Sequence, residues 1–406
     1  MFLYRSFRCR TSFYLAGRLS VVLLFSLALG CSVHGGPSLT DSSARYNPVR
    51  IAKNISAVPG KLSWSPDGKR FAFINETLTI IDIDSLERKQ VAVPHPVSLA
   101  WSEDDKLYVL SREQDATGWF VIDTGKLNAV KLPLDREADL LYTLDPDTLI
   151  IAAARTNSTR IGTKLSWRLS RYDVASGATG TLSSFSKIYP WKNPDKELLF
   201  AWLHAGINPL DRSILVVEHL RPPVVHPYST VSRIDTLTGE EAGILGNDRG
   251  GLYASASWSP DGGRIALADM NGGLMLVIPG NERSGSARLA APAGVYPSWN
   301  PQGSTIYFGG SLIRTDQAEA EPLLLNASRS IGVWSPDGTR LAVAAGGELL
   351  LFRNFTPSFS GSDRPLDRAL AEKLALLRNL FAEELISRQE YDERKAGLLL
   401  TREDRP

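Results

Sequence analysis

The sequence is poor in the residues from which stapled domains and metal sites are usually built. Its 406 residues include only two cysteines and five histidines. Two cysteines cannot form a disulfide framework or a cysteine-based zinc site. A net charge of +1 gives no basic excess of the kind that nucleic-acid-binding proteins use. The chain is nevertheless 43% hydrophobic, which is enough to fold around a large core.

A long hydrophobic run is also missing near the amino terminus. The apolar stretch from Leu19 to Leu29 follows four arginines and is shorter than the roughly 20 residues that cross a bilayer. It suits the hydrophobic region of an export signal. The stretch ends in Leu27-Ala-Leu-Gly-Cys31, which resembles the lipobox of bacterial lipoproteins. The resemblance implies that residues 1–30 are removed as a lipoprotein signal peptide and that Cys31 is lipidated.

Two alternatives remain for this region, an ordinary signal peptide with an incidental cysteine and a stable amino-terminal membrane anchor. Residues 31–47 are rich in Ser and Gly at their start and are predicted to form a flexible tether. The predicted location is the bacterial cell envelope. The protein would face the periplasm from the outer or the inner membrane, held by the lipid on Cys31.

One short motif recurs along the chain. Trp-Ser-Pro-Asp-Gly follows an apolar stretch three times, and two degraded copies keep the tryptophan. The tryptophans at this position are Trp64, Trp101, Trp258, Trp299 and Trp334. Two further copies, at 143–148 and 206–211, keep little more than the proline. Adjacent clear copies lie 37, 41 and 35 residues apart, a period that is typical of propeller repeats.

The chemistry of the motif is that of a β-hairpin. Proline fixes φ at the first central turn position, aspartate can bond its own backbone, and glycine accepts a positive φ. A second, a third and a weaker fourth strand follow each turn. Four short strands per repeat predict an all-β propeller of four-stranded blades, seven in number, with six as the alternative. The last repeat lacks a fourth strand, and we expect residues 49–54 to supply it.

The repeat resembles the TolB-like (PD40, WD40-like) β-propeller family, and the resemblance covers residues 48–358. It implies a propeller fold and is nearly silent on function. The motif aspartates Asp67, Asp261 and Asp337 are interpreted as turn residues, in preference to a ring of functional carboxylates.

Repeats three and four carry additional segments, including Tyr189–Pro194. Three of the five histidines fall in this region together with a glutamate: His204, Glu218, His219 and His226. Their spacing matches no metal-ligand motif. We therefore predict no metal site here and favour a long rim loop that packs Trp191 and Trp202.

The carboxy-terminal segment changes from a period of two to a helical period. After a linker at 359–365, apolar residues fall on one stripe: Leu366, Leu370, Leu374, Leu377 and Phe381. Ser387 and Glu390 form a capping box for a second helix. Residues 366–402 resemble the short SHOCT helical hairpin. Two helices of this size cannot bury both apolar faces alone, so the hairpin is predicted to associate with a second copy or another protein, with packing on its own propeller as the alternative.

These features predict a membrane-tethered, non-catalytic propeller that binds a protein or cell-envelope ligand. No catalytic residue, metal ligand or cofactor is assigned, and nucleic acid is excluded as a partner. About 45 residues follow the propeller, too few for an α/β-hydrolase domain, and no Gly-x-Ser-x-Gly elbow occurs. The alternative is a propeller enzyme, a hydrolase or a lyase, with an axial metal or polar site.

Overall fold

The protein is described from a computed structural model. The described residues are 37–113, 116–132, 138–189, 207–208, 211–220, 228–245, 253–269, 271–279, 286–289, 291–315 and 320–355, with 377, 380, 386–387, 389–391 and 393–394. Four predicted features lie mostly or wholly outside them: the signal peptide at 1–30, the lipidated Cys31, the linker at 359–365 and the helical hairpin at 366–402. Among the described residues no helix has the length and apolarity needed to cross a bilayer.

The chain forms strands almost throughout. Before the first blade come β1 (Ser38–Leu39), a 3₁₀ helix (Asp41–Tyr46) and β2 (Val49–Ile55). Blade 1 contains β3 (Leu62–Trp64), β4 (Arg70–Ile74), β5 (Leu78–Asp82) and β6 (Arg88–Val91). Blade 2 contains β7 (Pro96–Trp101), β8 (Lys106–Glu113), β9 (Ala116–Asp123) and β10 (Asn128–Lys131). Blade 3 contains β11 (Leu140–Asp145), β12 (Thr148–Thr159), β13 (Gly162–Asp173) and β14 (Thr179–Tyr189).

The second half repeats this order. Blade 4 contains β15 (Ile214–Leu220), β16 (Tyr228–Ile234) and β17 (Glu241–Leu245), and a bridge from Ile207 to Ile214 marks its innermost position. Blade 5 contains β18 (Tyr253–Trp258), β19 (Ile265–Asp269), β20 (Leu274–Val277) and β21 (Ser286–Leu289). Blade 6 contains β22 (Ser298–Trp299), β23 (Thr305–Phe308), β24 (Ser311–Arg314) and β25 (Ala320–Pro322). After β26 (Leu324–Leu325), blade 7 contains β27 (Ile331–Trp334), β28 (Leu341–Ala345) and β29 (Gly347–Phe352).

The first strand of the domain completes the last blade. β2 pairs antiparallel with β29, with Val49 opposite Leu351 and Lys53 opposite Glu348. Blade 7 therefore has the order β2-β29-β28-β27, and the ring is closed by strands from both ends of the chain. The prediction that residues 49–54 supply this strand is confirmed, as is the seven-bladed, all-β propeller. Closure covers the outer edge of β29, and β2 becomes the outer strand of the blade.

The hydrophobic core lies between the blades, because each sheet is covered on both faces by its neighbours. All five residues of β28 are buried, and the five motif tryptophans are buried too. Such strands read as continuous apolar runs, since neither of their faces meets water.

Strand direction sorts the connections onto two faces. Turns between the first and second strands of each blade, which hold the Ser-Pro-Asp-Gly residues, lie on one face, the motif face. Turns between the second and third strands, and the connections between blades, lie on the other. We call it the amino-terminal face, because Pro37 and β1 lie there. Pro37 contacts Gly346, in the turn between β28 and β29, and β1 pairs with β26 in the connection between blades 6 and 7.

The start of the folded domain lies earlier than the sequence predicted. Residues 38–46, assigned above to the flexible tether, form β1 and the 3₁₀ helix. Tyr46 stacks on Phe355 with ring centroids 4.2 Å apart, and the Thr40 N–H donates to the Leu323 carbonyl at 3.1 Å. These contacts hold the segment against blades 6 and 7. Residues 38–46 therefore belong to the folded domain, and residues 31–36 lie outside the described residues.

Only scattered residues of the predicted helical hairpin are described. The Ser387 hydroxyl accepts a hydrogen bond from the Glu390 N–H at 3.2 Å, and the Tyr391 N–H donates to the Ser387 carbonyl. Leu377 and Tyr391 are buried. The hairpin as a whole stays a prediction.

Candidate functional site

The residues of the repeated motif connect neighbouring blades. The Trp64 indole N–H donates to the Val333 carbonyl at 2.8 Å, and Trp334 donates to Ser298 at 3.2 Å. Trp299 donates in the same way to Ser257 at 3.1 Å. In each case the acceptor is the residue that precedes the motif tryptophan of the previous blade. The tryptophans are therefore structural and do not form a ligand-binding cluster.

An arginine three residues after the motif aspartate makes the reverse connection. Arg340 donates to the Gly68 carbonyl of blade 1 at 3.0 Å, and Arg264 donates to the Gly303 carbonyl of blade 6 at 3.1 Å. Arg70 pairs with Asp105 of blade 2 at 2.5 Å. No role was predicted for these arginines. Their fixed position, three residues after the aspartate in all three intact motifs, could have indicated a structural role.

The motif aspartates serve their own turns. The Asp67 carboxylate accepts hydrogen bonds from the Ser65 hydroxyl at 2.6 Å and from the Lys69 N–H at 3.0 Å. Asp337 is bonded in the same way to Ser335 and Thr339. Burial opposes ionisation of both carboxylates, but these hydrogen bonds outweigh it and lower the pKa of each. Their interpretation as turn residues is confirmed.

The described strands around the axis offer little acid or base. β3, β7, β18, β22 and β27 contain only Ser, Ala, Gly, Pro, Tyr, Trp and aliphatic residues. On β11, Asp145 accepts from the Asp147 N–H of its own turn. Within the described residues no group of three His, Cys, Asp or Glu could hold a metal ion. His204 and His226 lie outside these residues, and so do the side chains of Glu218 and His219 on β15.

A buried ion pair lies on the amino-terminal face between blades 2 and 3. Asp139, with its side chain 5% exposed, accepts from Arg112 and from the Ala154 N–H at 2.7 Å. Nη2 of Arg112 also donates to the Ala138 carbonyl at 2.6 Å. The Arg112 side chain is 36% exposed. A guanidinium carries five N–H donors in a rigid fork, so one oriented through Nη2 can still bind an anion with the others.

Blade 3 extends this region with positive charge. β12 and β13 pair over 12 positions, from Thr148 opposite Asp173 to Thr159 opposite Gly162. Residues 148–189 contain six Lys or Arg and one acid. Arg155 pairs with Ser166 and Arg168 with Ala153, so both arginines share the sheet face of Ile151.

That sheet face points towards blade 2, because Ile151 packs with residues of that blade, Trp119 among them. We define the basic site as Arg112, Asp139, Arg155 and Arg168. The sequence did not predict it. Its residues come from two blades and lie outside the repeat, so only the register of the strands brings them together.

The described surface also contains an open cavity of about 430 Å³ at the outer edge of blade 6. Glu321 in its wall pairs with Arg45 and accepts from the Tyr46 hydroxyl at 3.1 Å. Burial, together with Glu321, raises the pKa of Tyr46 to about 12. These bonds fasten the 3₁₀ helix to blade 6, and we assign the cavity no ligand.

No protein-family model and no curated protein matches the chain. Its fold matches the crystal structure of oligogalacturonate lyase from Vibrio parahaemolyticus with a TM-score of 0.54 and 13% sequence identity, over 77% of this chain and 94% of that one. An oligogalacturonate lyase in complex with manganese matches with the same TM-score and identity, over 77% and 93%. At this identity the likeness establishes the propeller fold and does not confirm the TolB-like, SHOCT or lipoprotein resemblances.

These structures contradict the prediction that the protein is not an enzyme. That prediction depended on the lack of a hydrolase domain beside the propeller. The match covers 94% and 93% of the two lyase chains, so these enzymes consist of little besides the matched fold. A missing second domain therefore does not argue against catalysis. The correction brings forward the alternative, a propeller that is itself a hydrolase or lyase.

Proposed function

We propose that the protein is a propeller enzyme of the cell envelope, a lyase or hydrolase that acts on an acidic oligosaccharide at the basic site. The observation that carries the proposal is the match to lyases that are almost entirely propeller. The basic site supports it, because cations at the junction of two blades suit a negatively charged substrate.

The chemistry of elimination gives Arg112 a role. Elimination at a uronate breaks the C–H bond on the carbon that carries the carboxylate and the C–O bond to the leaving sugar, and it forms a C=C bond between the two carbons. The proton passes to a base, to which we assign no residue, the sugar oxygen leaves as a hydroxyl after protonation, and negative charge builds on the carboxylate as the proton departs. A fixed guanidinium that binds the carboxylate stabilises this charge. Asp139 holds Arg112 through Nη2, so its remaining N–H groups are oriented before substrate arrives.

One of the matched lyases is in complex with manganese. The described residues of this chain do not provide a fitting set of ligands. We therefore derive no step through a metal and assign only carboxylate binding and orientation to the basic site.

The anchor and the tail complete the proposal. Cys31 follows a lipobox-like stretch, and its lipid would hold the enzyme at a membrane surface. The SHOCT-like hairpin would add association with a second copy or an envelope protein, because its apolar stripe is too large for two short helices to cover.

The proposal is tested by incubating the purified protein with oligogalacturonate, with and without added manganese. The unsaturated product of elimination is followed by ultraviolet absorbance, and products of either reaction by mass spectrometry. We expect turnover by the unmodified protein and a loss of about 100-fold in kcat for Arg112→Gln, since one electrostatic donor is typically worth that much. Arg112→Lys should recover little, because a lysine cannot bind a carboxylate through a fork.

Arg88→Gln is the matched control, since Arg88 is an exposed arginine on the outer strand β6. It should leave turnover unchanged, and circular dichroism should show all three variants folded. A folded protein that converts no acidic oligosaccharide under either metal condition would refute the proposal.

A further inference from the structure

The folded domain begins on the amino-terminal face. Ser38 and Leu39 of β1 pair with Leu325 and Leu324 of β26. Cys31 lies six residues before Pro37 in the sequence. Even fully extended, six residues span at most about 20 Å. A lipid on Cys31 would therefore keep the start of β1, on the amino-terminal face, within about 20 Å of the bilayer.

The longest hairpin among the described residues, β12-β13, projects from the same face. β12 contains four more residues than β8, the corresponding strand of blade 2. At about 3.3 Å per residue, the hairpin extends roughly 13 Å further. Its tip is the turn at Arg160 and Ile161, and Ile161 is 72% exposed.

The tip combines exposed apolar groups with positive charge. Ile188 on β14 is 43% exposed and lies opposite Lys164, which is exposed as well. Arg160 is also exposed, and residues 148–172 contain no acid. Apolar side chains next to Lys and Arg are typical of surfaces that insert into the boundary of an anionic bilayer.

The distribution of exposed apolar side chains supports the same orientation. Six large apolar residues are exposed in the described part of the chain. Four of them lie on the amino-terminal face, Ile161 and Ile188 at blade 3 and Leu39 and Leu325 at blades 6 and 7. Ile278 lies on the motif face. Two contact regions on opposite sides of the ring would hold that face flat against a membrane.

We propose that the amino-terminal face rests on an anionic phospholipid bilayer, with the tip of the blade 3 hairpin, residues 160–164 and Ile188, docked among the headgroups. The inference rests on the lipid anchor of the proposed function, and it adds an orientation that an anchor alone does not give. The tip lies beyond the basic site on the same hairpin. Lys164 is four residues from Arg168 on β13, about 13 Å, and two residues from Ser166, the partner of Arg155.

The test places a fluorophore on Ile161→Cys in the full lipoprotein, reconstituted into vesicles whose lipids carry a nitroxide quencher. Ile278→Cys on the motif face is the control, since the native side chain there is exposed too, at 43% against 72% for Ile161. We expect strong quenching and a blue-shifted emission at position 161 and neither at position 278. Equal quenching at the two positions would overturn the proposal.

Lipid composition and charge provide the second measurement. Without its acyl anchor the Cys31→Ser chain should bind only weakly and reversibly, so that washing removes it from membranes, but it should bind vesicles of phosphatidylglycerol more tightly than vesicles of phosphatidylcholine. Arg160→Gln with Lys164→Gln should weaken that binding about 25-fold, since each cation near an anionic surface contributes about fivefold. A vesicle affinity that depends neither on lipid charge nor on these substitutions would contradict a contact between the tip and the headgroups.

The outcomes separate this inference from the proposed function. An unacylated Cys31 would remove the anchor, while the vesicle measurement on the Cys31→Ser chain would still decide whether the tip binds lipid. If oligogalacturonate changes the emission of the fluorophore at position 161 and vesicles do not, the tip binds a glycan and the proposal is overturned. A protein that shows quenching at position 161 but converts no acidic oligosaccharide would support the proposed orientation and contradict the proposed enzymatic function.

Discussion

The hydrogen bond between Trp64 and Val333 allows a stability prediction with an internal control. Trp64 and Trp101 occupy the same motif position, and each is 6% exposed. The Trp64 indole N–H donates to the Val333 carbonyl at 2.8 Å, whereas the Trp101 indole nitrogen is buried with no partner among the described residues. Replacing each with phenylalanine removes the same atoms from two closely similar sites.

The two substitutions should therefore differ mainly through the indole N–H. Trp64→Phe loses a hydrogen bond worth about 1 kcal/mol and leaves a buried carbonyl without its donor. Trp101→Phe removes a buried donor without a partner, which returns at least about 1 kcal/mol. The Arg70 guanidinium lies 5.3 Å from the Trp101 ring, and phenylalanine keeps an aromatic face there. We expect Trp64→Phe to be the more destabilising by at least about 2 kcal/mol.

Urea unfolding followed by far-ultraviolet circular dichroism measures this difference. With a common m-value, the shift in midpoint converts directly to a difference in the free energy of unfolding. Equal losses of stability, or a larger loss at Trp101, would refute the assignment of the Trp64 bond as a link between blades 1 and 7.

Three further predictions concern a turn, the tail and the anchor. The pKa of Asp337 in the folded state lies below the usual value of 3.8. The ionised carboxylate therefore stabilises the fold above pH 3.8, and this stabilisation is lost as the pH falls through the lowered pKa. Asp337→Asn should therefore destabilise the protein at pH 7 by less than about 1 kcal/mol, as the carboxylate is largely exposed, and the difference should vanish in acid; a constant difference in urea unfolding across pH would contradict this. Deleting residues 364–406 should leave the thermal transition nearly intact and lower the oligomer mass or abolish partner binding in light scattering, whereas a lower melting temperature at unchanged mass would mean that the tail packs on its own propeller. Cys31→Ser should release the protein from membranes, and mass spectrometry of the mature terminus should find an acylated Cys31; an unmodified residue other than Cys31 at that position would exclude the anchor.

Much of the fold was predictable because a propeller repeats its chemistry. Trp, Pro, Asp and Gly recur at fixed spacing, so the number of blades and their four strands followed from local turn geometry. Closure by β2 was predictable for a physical reason, since the last repeat lacked a strand and an unpaired edge is unfavourable. The start of the domain was missed. The polar residues 38–46 indicated a tether, and only tertiary contacts such as Tyr46 with Phe355 show that they pack.

The basic site could not be predicted from the repeat. Arg112 and Asp139 lie in different blades, and neither belongs to the motif. The length of the blade 3 hairpin was equally hidden, because Thr156 to Arg160 is a polar stretch with the composition of a loop. The prediction of no catalysis was wrong because it treated a missing domain as evidence, whereas the matched lyases consist of little besides the matched fold.

Closure by β2 has a consequence for how the chain reaches its native state. A ribosome synthesises β2 early, but its partner β29 follows roughly 300 residues later. At about 5–20 residues per second, β2 waits about 15–60 s as an unpaired strand. The strand contains Arg50 and Lys53. Charged side chains on an unpaired strand disfavour pairing with strands of other chains, and so disfavour aggregation. Once the ring closes, Arg50 forms an ion pair with Glu348 at 3.0 Å. The same side chain thus first protects a nascent strand from aggregation and then helps to fasten the finished ring.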